Sequence, residues 1–272
     1  MIEFIVEKKG KLSKIAPYQV EGVSYSLVMK LLRKKNVKVN DARVKEDVTL
    51  EVGDKVVLFY TIDSNKKFSI IYQDEKILVI NKFLGYTSES VYSDIQKLYS
   101  NARFVHRLDR NTSGIMIFGF GDSVEELLIN GFKNRDFKKL YLAEVKGVLE
   151  KKSDVLVAYL FKDAKEKFVK ISDKKLPLYT EIKTGYRVVR EKENSSVLEV
   201  ELFTGKTHQI RAHLSHIGHP IIGDEKYGDH ELNKRLKVKS QRLTAFLLTL
   251  KFSLDSELAY LNDKTFRIDC DF

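Results

Sequence analysis

The 272-residue sequence predicts an α+β fold in two units, and three observations carry that prediction. Strand-like alternation and helix-like periodicity are mixed along the chain without regular strand-helix alternation, which disfavours a doubly wound parallel sheet. Residues 61–68, "TIDSNKKF", are polar and follow neither period, so they are expected to link a unit of residues 1–60 to one of residues 69–272. Hydrophobic residues make up 43% of the chain, ample for a packed core.

In the first unit, Leu27, Val28, Leu31 and Leu32 recur at helical spacing after a candidate N-cap at Ser24. The pattern then alternates about Asn40 and Asp41, which predicts helix, hairpin and strand in that order. In the second unit, Ile77 to Ile80 reads as a buried strand, and Asp122 to Gly131 as a helix with Glu125 in the capping-box position. Val188 and its neighbours pair with "SSVLEVELF" as a hairpin in which Leu198, Val200 and Leu202 point inward while Glu199 and Glu201 face water. "THQIRAHLSHIGHP" is a short helix, with Thr207 near its start, Gly218 at its end and Pro220 beyond.

The formal net charge is +10, which favours a polyanionic partner, nucleic acid above all. Lys30, Arg33, Lys34, Lys35, Lys38, Arg43 and Lys45 crowd around a single acidic residue, Asp41. Such a run is ordinarily a solvated helix face; its continuation through the turn after the helix favours contact with phosphates. Cys270 is the only cysteine, so neither an intramolecular disulfide nor a cysteine metal cluster is expected. With no signal-peptide core and no apolar stretch of membrane-spanning length, a soluble cytoplasmic protein is expected.

Three segments could carry chemistry. In "FVHRLDRNTSGIMIF" (104–118), His106, Arg107, Asp109 and Arg110 lie between apolar flanks, where an unpaired charge is costly. A carboxylate between two guanidinium groups stays ionised, which suits a nucleophile or an electrostatic stabiliser; the alternative is an aspartate that braces a turn with Thr112, Ser113 and Gly114. "LFTGKTHQIRAHLSHIGHPIIGDEKYG" (202–228) contains Gly205, Lys206 and Thr207 but has Val200 where a phosphate loop needs glycine. Its histidines, His208, His213, His216 and His219, do not have zinc-helix spacing, so no metal is expected. On a helix, His208 and Arg211 share a face, which leaves Arg211 either at the surface or paired with a buried carboxylate such as Asp109. In "KKLYLAEVKG" (138–147), strand alternation lets Tyr141 present its ring either to the core or to a basic cleft, as a platform for a base.

Together with "YQDEKILVINKFLG" (72–85), these three segments resemble the pseudouridine synthases of the RluA/RluD type, over essentially the whole chain. Residues 1–60 resemble the S-four-like RNA-binding domain that precedes the catalytic domain in some members. The resemblance implies a mixed, mainly antiparallel sheet with helices and a central cleft. It also implies an isomerase of RNA uridines that acts without cofactor or metal, and a monomer is expected. Asp109 matches the catalytic aspartate, Tyr141 the aromatic that packs on the target base, and Arg211 the basic partner of the aspartate. Arg107 matches the residue that fills the gap left by a flipped nucleotide, and His106, Lys82 and His208 fall among the substrate-binding positions. Lys30, Arg33, Lys34, Lys35, Lys38 and Arg43 would contact RNA. Two departures, Phe83 with Leu84 before Gly85 and Thr244 where the family often has histidine, are expected to alter the cleft wall.

Large-subunit ribosomal RNA is the substrate the resemblance favours, with transfer RNA the alternative. A non-catalytic RNA-binding or ribosome-assembly factor would not need Asp109, Tyr141 and Arg211 together. An aspartate-nucleophile phosphatase would want a second acid where Asn111 stands.

Overall fold

The computed structural model describes residues 2–20, 23, 25–59, 66–163 and 168–272, the side chain of residue 26 excepted. The N-cap expected at Ser24 and residues 61–65 of the expected linker lie outside the described residues. The chain divides into two compact units, Met1–Lys66 and Lys67–Phe272.

The first unit contains β1 (Ile2–Ile5), β2 (Gly10–Lys11), α1 (Leu12–Gln19), α2 (Tyr25–Arg33), β3 (Val37–Val39), β4 (Ala42–Val44), β5 (Thr49–Leu50) and β6 (Lys55–Leu58). Four of its strands form a sheet in the order β1-β6-β3-β4. The β3–β4 hairpin turns at Asn40 and Asp41, whose φ values of 47° and 65° suit these two residue types and match the twist of the strands. Val28, Leu31 and Leu32 of α2 pack with Leu12, Val37, Val56 and Leu58 into a core of their own. α1 has no cap from its preceding lysine; Asp47 supplies it from across the unit, accepting from Ser13 N at 2.9 Å and Ser13 Oγ at 2.7 Å.

The second unit contains β7 (Phe68–Gln73), β8 (Ile77–Lys82), α3 (Ser88–Leu98), β9 (Ala102–Phe104), β10 (Ser113–Phe120), α4 (Asp122–Asn134), β11 (Lys138–Lys146), β12 (Ser153–Asp163), β13 (Phe168–Ser172), β14 (Thr180–Glu191), β15 (Ser195–Leu202), α5 (Gln209–His216), α6 (His230–Arg235), β16 (Leu243–Thr249) and β17 (Thr265–Arg267). Phe68, placed in the linker by its polar neighbours, is buried and opens β7. The sheet runs β13-β12-β14-β15-β11-β16-β10-β8-β7, with β17 beside β16 and β9 beside β10. Its pairings are antiparallel except at β10 and β16, which run parallel.

β10 is buried on both faces, and its alternation divides two cores. Met116 and Phe118 pack with Ile80, Val91, Ile95 and Tyr141, whereas Ile115 and Ile117 pack with Val79, Val124, Leu128 and Leu248. A third cluster joins Ala212 to Leu160, Val169, Ile182 and Tyr227. The capping box expected at Glu125 is not formed: the N-cap is Gly121, at φ 88°, and Glu125 instead lies 3.8 Å from Arg103.

The parallel junction fixes the position of the candidate site. Gly114, at φ 119°, sits against Ala245 so closely that a Cβ would come within 2.3 Å of the Ala245 carbonyl oxygen. Glycine is therefore required where the loop carrying Asp109 enters the sheet.

Candidate active site

The loop between β9 and β10 is held by side chains from β8, from α3 and from the approach to β16. Lys82 is fully buried at the end of β8, and its ammonium donates to the carbonyls of Phe83 (3.1 Å), Tyr86 (2.9 Å) and Arg110 (3.3 Å). Burial draws its pKa down to about 8, with the charge of Asp109 opposing. Ser88, at the start of α3, donates Oγ to the Leu108 carbonyl and accepts from Leu108 N, both at 2.9 Å. Thr112 N donates to the Asp109 carbonyl at 3.1 Å, and Thr112 Oγ1 accepts from Gln241 at 2.7 Å. Arg110 turns away, donating Nε to the Gly85 carbonyl at 2.9 Å.

On the other side of the loop lies a second anchor. His106 Nε2 accepts the Ile117 amide at 3.2 Å, and its Nδ1 lies 3.2 Å from Lys139 Nζ. A neutral imidazole that accepts at Nε2 carries its proton on Nδ1, where it faces the amine and disfavours the amine's charged form. Burial brings Lys139 to about 7 and, with the neighbouring amine, holds His106 well below the ordinary imidazole value. The ring of His106 packs on Phe132, and Lys139 Nζ stands 5.4 Å from the Tyr141 ring centre.

With the loop fixed, Asp109 faces a pocket of about 200 Å³ lined by Arg107, Leu108, Tyr141, Leu202, His208 and Arg211, among others. Arg211, in the first turn of α5, donates Nη1 to Asp109 Oδ2 at 3.0 Å. Its other edge makes a bidentate pair with Asp224, Nε to Oδ2 at 2.7 Å and Nη2 to Oδ1 at 2.9 Å. Asp224 is fully buried and also accepts the amides of Lys226 (2.8 Å) and Tyr227 (3.0 Å). Burial pushes the Asp224 carboxyl up, but Arg211 and these amides outweigh it and hold the group below its usual value. Burial likewise opposes the Arg211 charge, and the two carboxylates more than restore it.

Tyr141, on β11, is 8% exposed and shows part of its ring to the pocket. Burial and the Asp109 charge raise its hydroxyl pKa, so it remains a phenol at neutral pH. His208 is not on the helix but precedes it, in the left-handed conformation at φ 54°. Its Nδ1 lies 2.9 Å from Tyr227 Oη, and its Nε2 lies 3.9 Å from Asp109 Oδ2. Burial lowers its pKa and Arg211 adds to this, with Asp109 opposing. Arg107 is exposed at the rim, 3.3 Å from Glu89.

Asp109, Tyr141, Arg211, Arg107 and His208 therefore converge on one pocket. Lys82 and His106, expected at substrate-binding positions, do not line it: each is consumed in bracing the Asp109 loop from behind. Phe83 and Thr244 are not on the wall either; the Thr244 hydroxyl pairs with Ser113 at 2.8 Å. The remaining histidines of the segment diverge, His213 to Thr184, His216 to Asp173 and His219 to the Lys146 carbonyl. Asp224, Tyr227 and Lys139 were missed by sequence reasoning. Asp224 carries the signal that singled out Asp109, an acid directly after an apolar flank, "PIIGD".

Residues 65–216 match the family model described as RNA pseudouridylate synthase. The chain is 31% identical over 266 residues to the ribosomal large subunit pseudouridine synthase C of Salmonella typhimurium, covering 86% of this chain and 82% of that one. The enzyme of the same name from Haemophilus ducreyi is 31% identical over 247 residues, covering 80% and 76%. In fold, the chain is similar to human RNA pseudouridylate synthase domain containing 1, with a TM-score of 0.63 at 23% identity over 72% of this chain and 83% of that one. The family match spans the loop that carries Asp109, the strand that carries Tyr141 and the helix that carries Arg211, and the relatives extend it over most of the chain: the protein belongs to the RNA pseudouridylate synthase family.

Proposed function

We propose that this pseudouridine synthase modifies large-subunit ribosomal RNA, with Asp109 as its reaction centre. The observation that carries the site assignment is the double grip of Arg211, which holds Asp109 at the pocket and is itself locked by buried Asp224. Relatives at 31% identity are ribosomal large subunit pseudouridine synthases, which supports the choice of RNA.

The reaction detaches uracil from the ribose at N1, turns it, and rejoins it through carbon 5. Duplex or loop RNA must first surrender the nucleotide, at a cost of a few kcal/mol. Arg107, exposed at the rim, is suited to occupy the space left behind, and Tyr141 to pack on the extruded base. Asp109 meets the sugar or the base through an oxygen that Arg211 leaves open: only Oδ2 is held, and among the described residues Oδ1 has no hydrogen bond. The basic surface of α2 and the β3–β4 hairpin is proposed to contact RNA phosphates. Arg33, Lys34, Lys35 and Arg43 are exposed there, and Lys38 and Arg43 flank the Phe59 ring at 5.8 and 5.6 Å.

The test is a map of pseudouridines in cellular RNA with and without the gene, by chemical labelling and primer extension, with complementation by wild type and by Asp109→Asn. Loss of one or more large-subunit sites, restored only by wild type, is expected. Loss confined to transfer RNA would replace the RNA assignment, and restoration by Asp109→Asn would remove Asp109 from the reaction centre.

A further inference from the structure

We infer that His208 is a further catalytic residue, donating its Nε2–H to a carbonyl oxygen of the target uracil and so stabilising the negative charge that gathers on the ring as the glycosidic bond breaks. The inference rests on the pocket at Asp109 being the reaction centre.

The tautomer of His208 follows from the hydrogen bonds behind it. Tyr227 is buried, and its hydroxyl oxygen accepts the Val169 amide at 3.0 Å. The hydroxyl proton then has one acceptor among the described residues, His208 Nδ1 at 2.9 Å. The reverse arrangement, with Nδ1–H donating to Tyr227, would leave that proton buried without an acceptor. Nδ1 is therefore the acceptor and Nε2 carries the hydrogen. That N–H points into the pocket wall, where among the described residues it makes no hydrogen bond; Asp109 Oδ2, at 3.9 Å, is too far. A donor without an acceptor, preset by a buried chain and facing a pocket, is the arrangement by which developing oxyanions are stabilised. The backbone of His208 reinforces this reading. A left-handed turn at a non-glycine residue brings the imidazole back over Tyr227, whose ring in turn lies 5.2 Å from the Arg211 guanidinium.

The chemistry balances without a co-reactant. When the bond between C1′ and N1 breaks, its electron pair stays on the uracil and spreads over N1 and the two carbonyl oxygens, one of which takes the His208 hydrogen bond. Carbon 5 then returns a pair to C1′ and loses its hydrogen as a proton to water, and N1 takes up a proton. His208 keeps its own proton throughout, acting as a neutral imidazole donor, with Tyr227 as its positioning residue.

The experiment uses total RNA labelled with 5-tritiated uridine from cells lacking the gene, so that the natural substrate is present, and follows tritium release in single turnover with the full chain in excess. His208→Ala is expected to lower the maximal rate about 100-fold, the scale of one oxyanion donor, while the enzyme concentration at half-maximal rate moves less than threefold. His208→Gln, whose amide can put an N–H where Nε2 stood, should recover at least tenfold of that loss. Tyr227→Phe, which frees the tautomer, should lower the rate about 2- to 10-fold, the scale of one neutral hydrogen bond. A maximal rate for His208→Ala within threefold of wild type, an effect confined to the half-maximal concentration, or His208→Gln no better than His208→Ala would overturn the inference. If His208→Ala fails to fold, the rate of His208→Gln decides. Asp109→Asn, run in parallel, separates the two readings: tritium release by that variant would remove the reaction centre itself, whereas a His208 failure alone leaves Asp109 in place.

Discussion

The two carboxylates that share Arg211 stand in contrasting surroundings. Asp224 is fully buried, bidentate to the guanidinium and bonded by two amides, so each of its oxygens is spoken for. Asp109 has a side chain 25% exposed, with one oxygen bonded by Arg211 and the other open to the pocket. The same guanidinium thus has an anchoring end and a working end. A buried charge pair is poor evidence of net stabilisation, but removing one partner leaves an uncompensated charge; here that liability is what keeps Arg211 in one orientation. The working end can then be held by a single hydrogen bond and still be aimed.

The largest effect that follows belongs to the working end. Asp109→Asn keeps the shape and an oxygen for Arg211 Nη1, yet removes the carboxylate. Turnover is expected to fall by about 10⁴-fold or more, the scale of deleting a reacting side chain, while the melting temperature stays within a few degrees. Tritium release and calorimetry check the two halves. A variant that melts much lower would mean that Asp109 is a structural anchor like Asp224.

Next in size is the anchoring end. Asp224→Ala leaves Arg211 buried without its bidentate partner and should cost about 3 to 5 kcal/mol, against less than about 1 kcal/mol for Asp109→Ala. In a unit of this size that corresponds to roughly 6–20 °C in melting temperature for Asp224→Ala. Denaturant unfolding of the two variants side by side measures the contrast directly, and equal losses would abolish it.

Only the Asp109 side of this contrast was open to sequence reasoning, and the other side was hidden for a physical cause. Asp109, Arg211 and Tyr141 lie in segments whose charge or aromatic character draws notice against apolar flanks, but each also has an ordinary structural reading, and it is the family resemblance that assigns their roles. The helix at Leu27–Leu32 and the Asn40–Asp41 hairpin were equally visible, because their periods are local. What periodicity does not report is who meets whom across the sheet. Lys82 and His106 were placed at the substrate because their neighbours are; the register of β8 against β10 turns Lys82 under the loop, and the Ile117 amide pulls His106 behind it. Asp224 and Tyr227 matter through Arg211 and His208 of the same segment, but the chain turns between them, and neither the helical nor the strand period reports a contact across that turn. The capping box at Glu125 failed because Gly121 enters the helix one residue earlier than the motif requires.

A smaller effect probes the back of the loop. Lys139 ionises at about 7 when folded, against its ordinary 10.5, so between these values the unfolded chain holds a proton that the folded chain lacks. Unfolding takes up that proton, and stability contributed through this group rises with pH across the window. Lys139→Met abolishes the uptake. The melting temperature of the variant relative to wild type is therefore expected to be most favourable near pH 7 and to decline steadily toward pH 10. Lys82, also drawn down by burial, is present in both proteins and cancels in the difference. A pH-independent difference would mean that the amine facing His106 is charged, with the imidazole proton moved to Nε2.

The smallest effect belongs to the first unit and bears on whether affinity and chemistry are separable. Arg33, Lys34 and Lys35 are exposed at the end of α2, and none of them belongs to the core of the first unit. Their replacement by glutamine should leave the single-turnover rate at saturating enzyme unchanged within twofold. If all three meet phosphates of single-stranded RNA, the slope of log affinity against log salt should shrink by about 2, from roughly 0.7 for each lost contact. Filter binding across a salt series measures the slope, and tritium release measures the rate. An unchanged slope would return these residues to an ordinary solvated helix face. A reduced saturating rate would mean that phosphate contacts in the first unit help to open the RNA at the target uridine, so that binding energy collected in that unit is used in the chemical step.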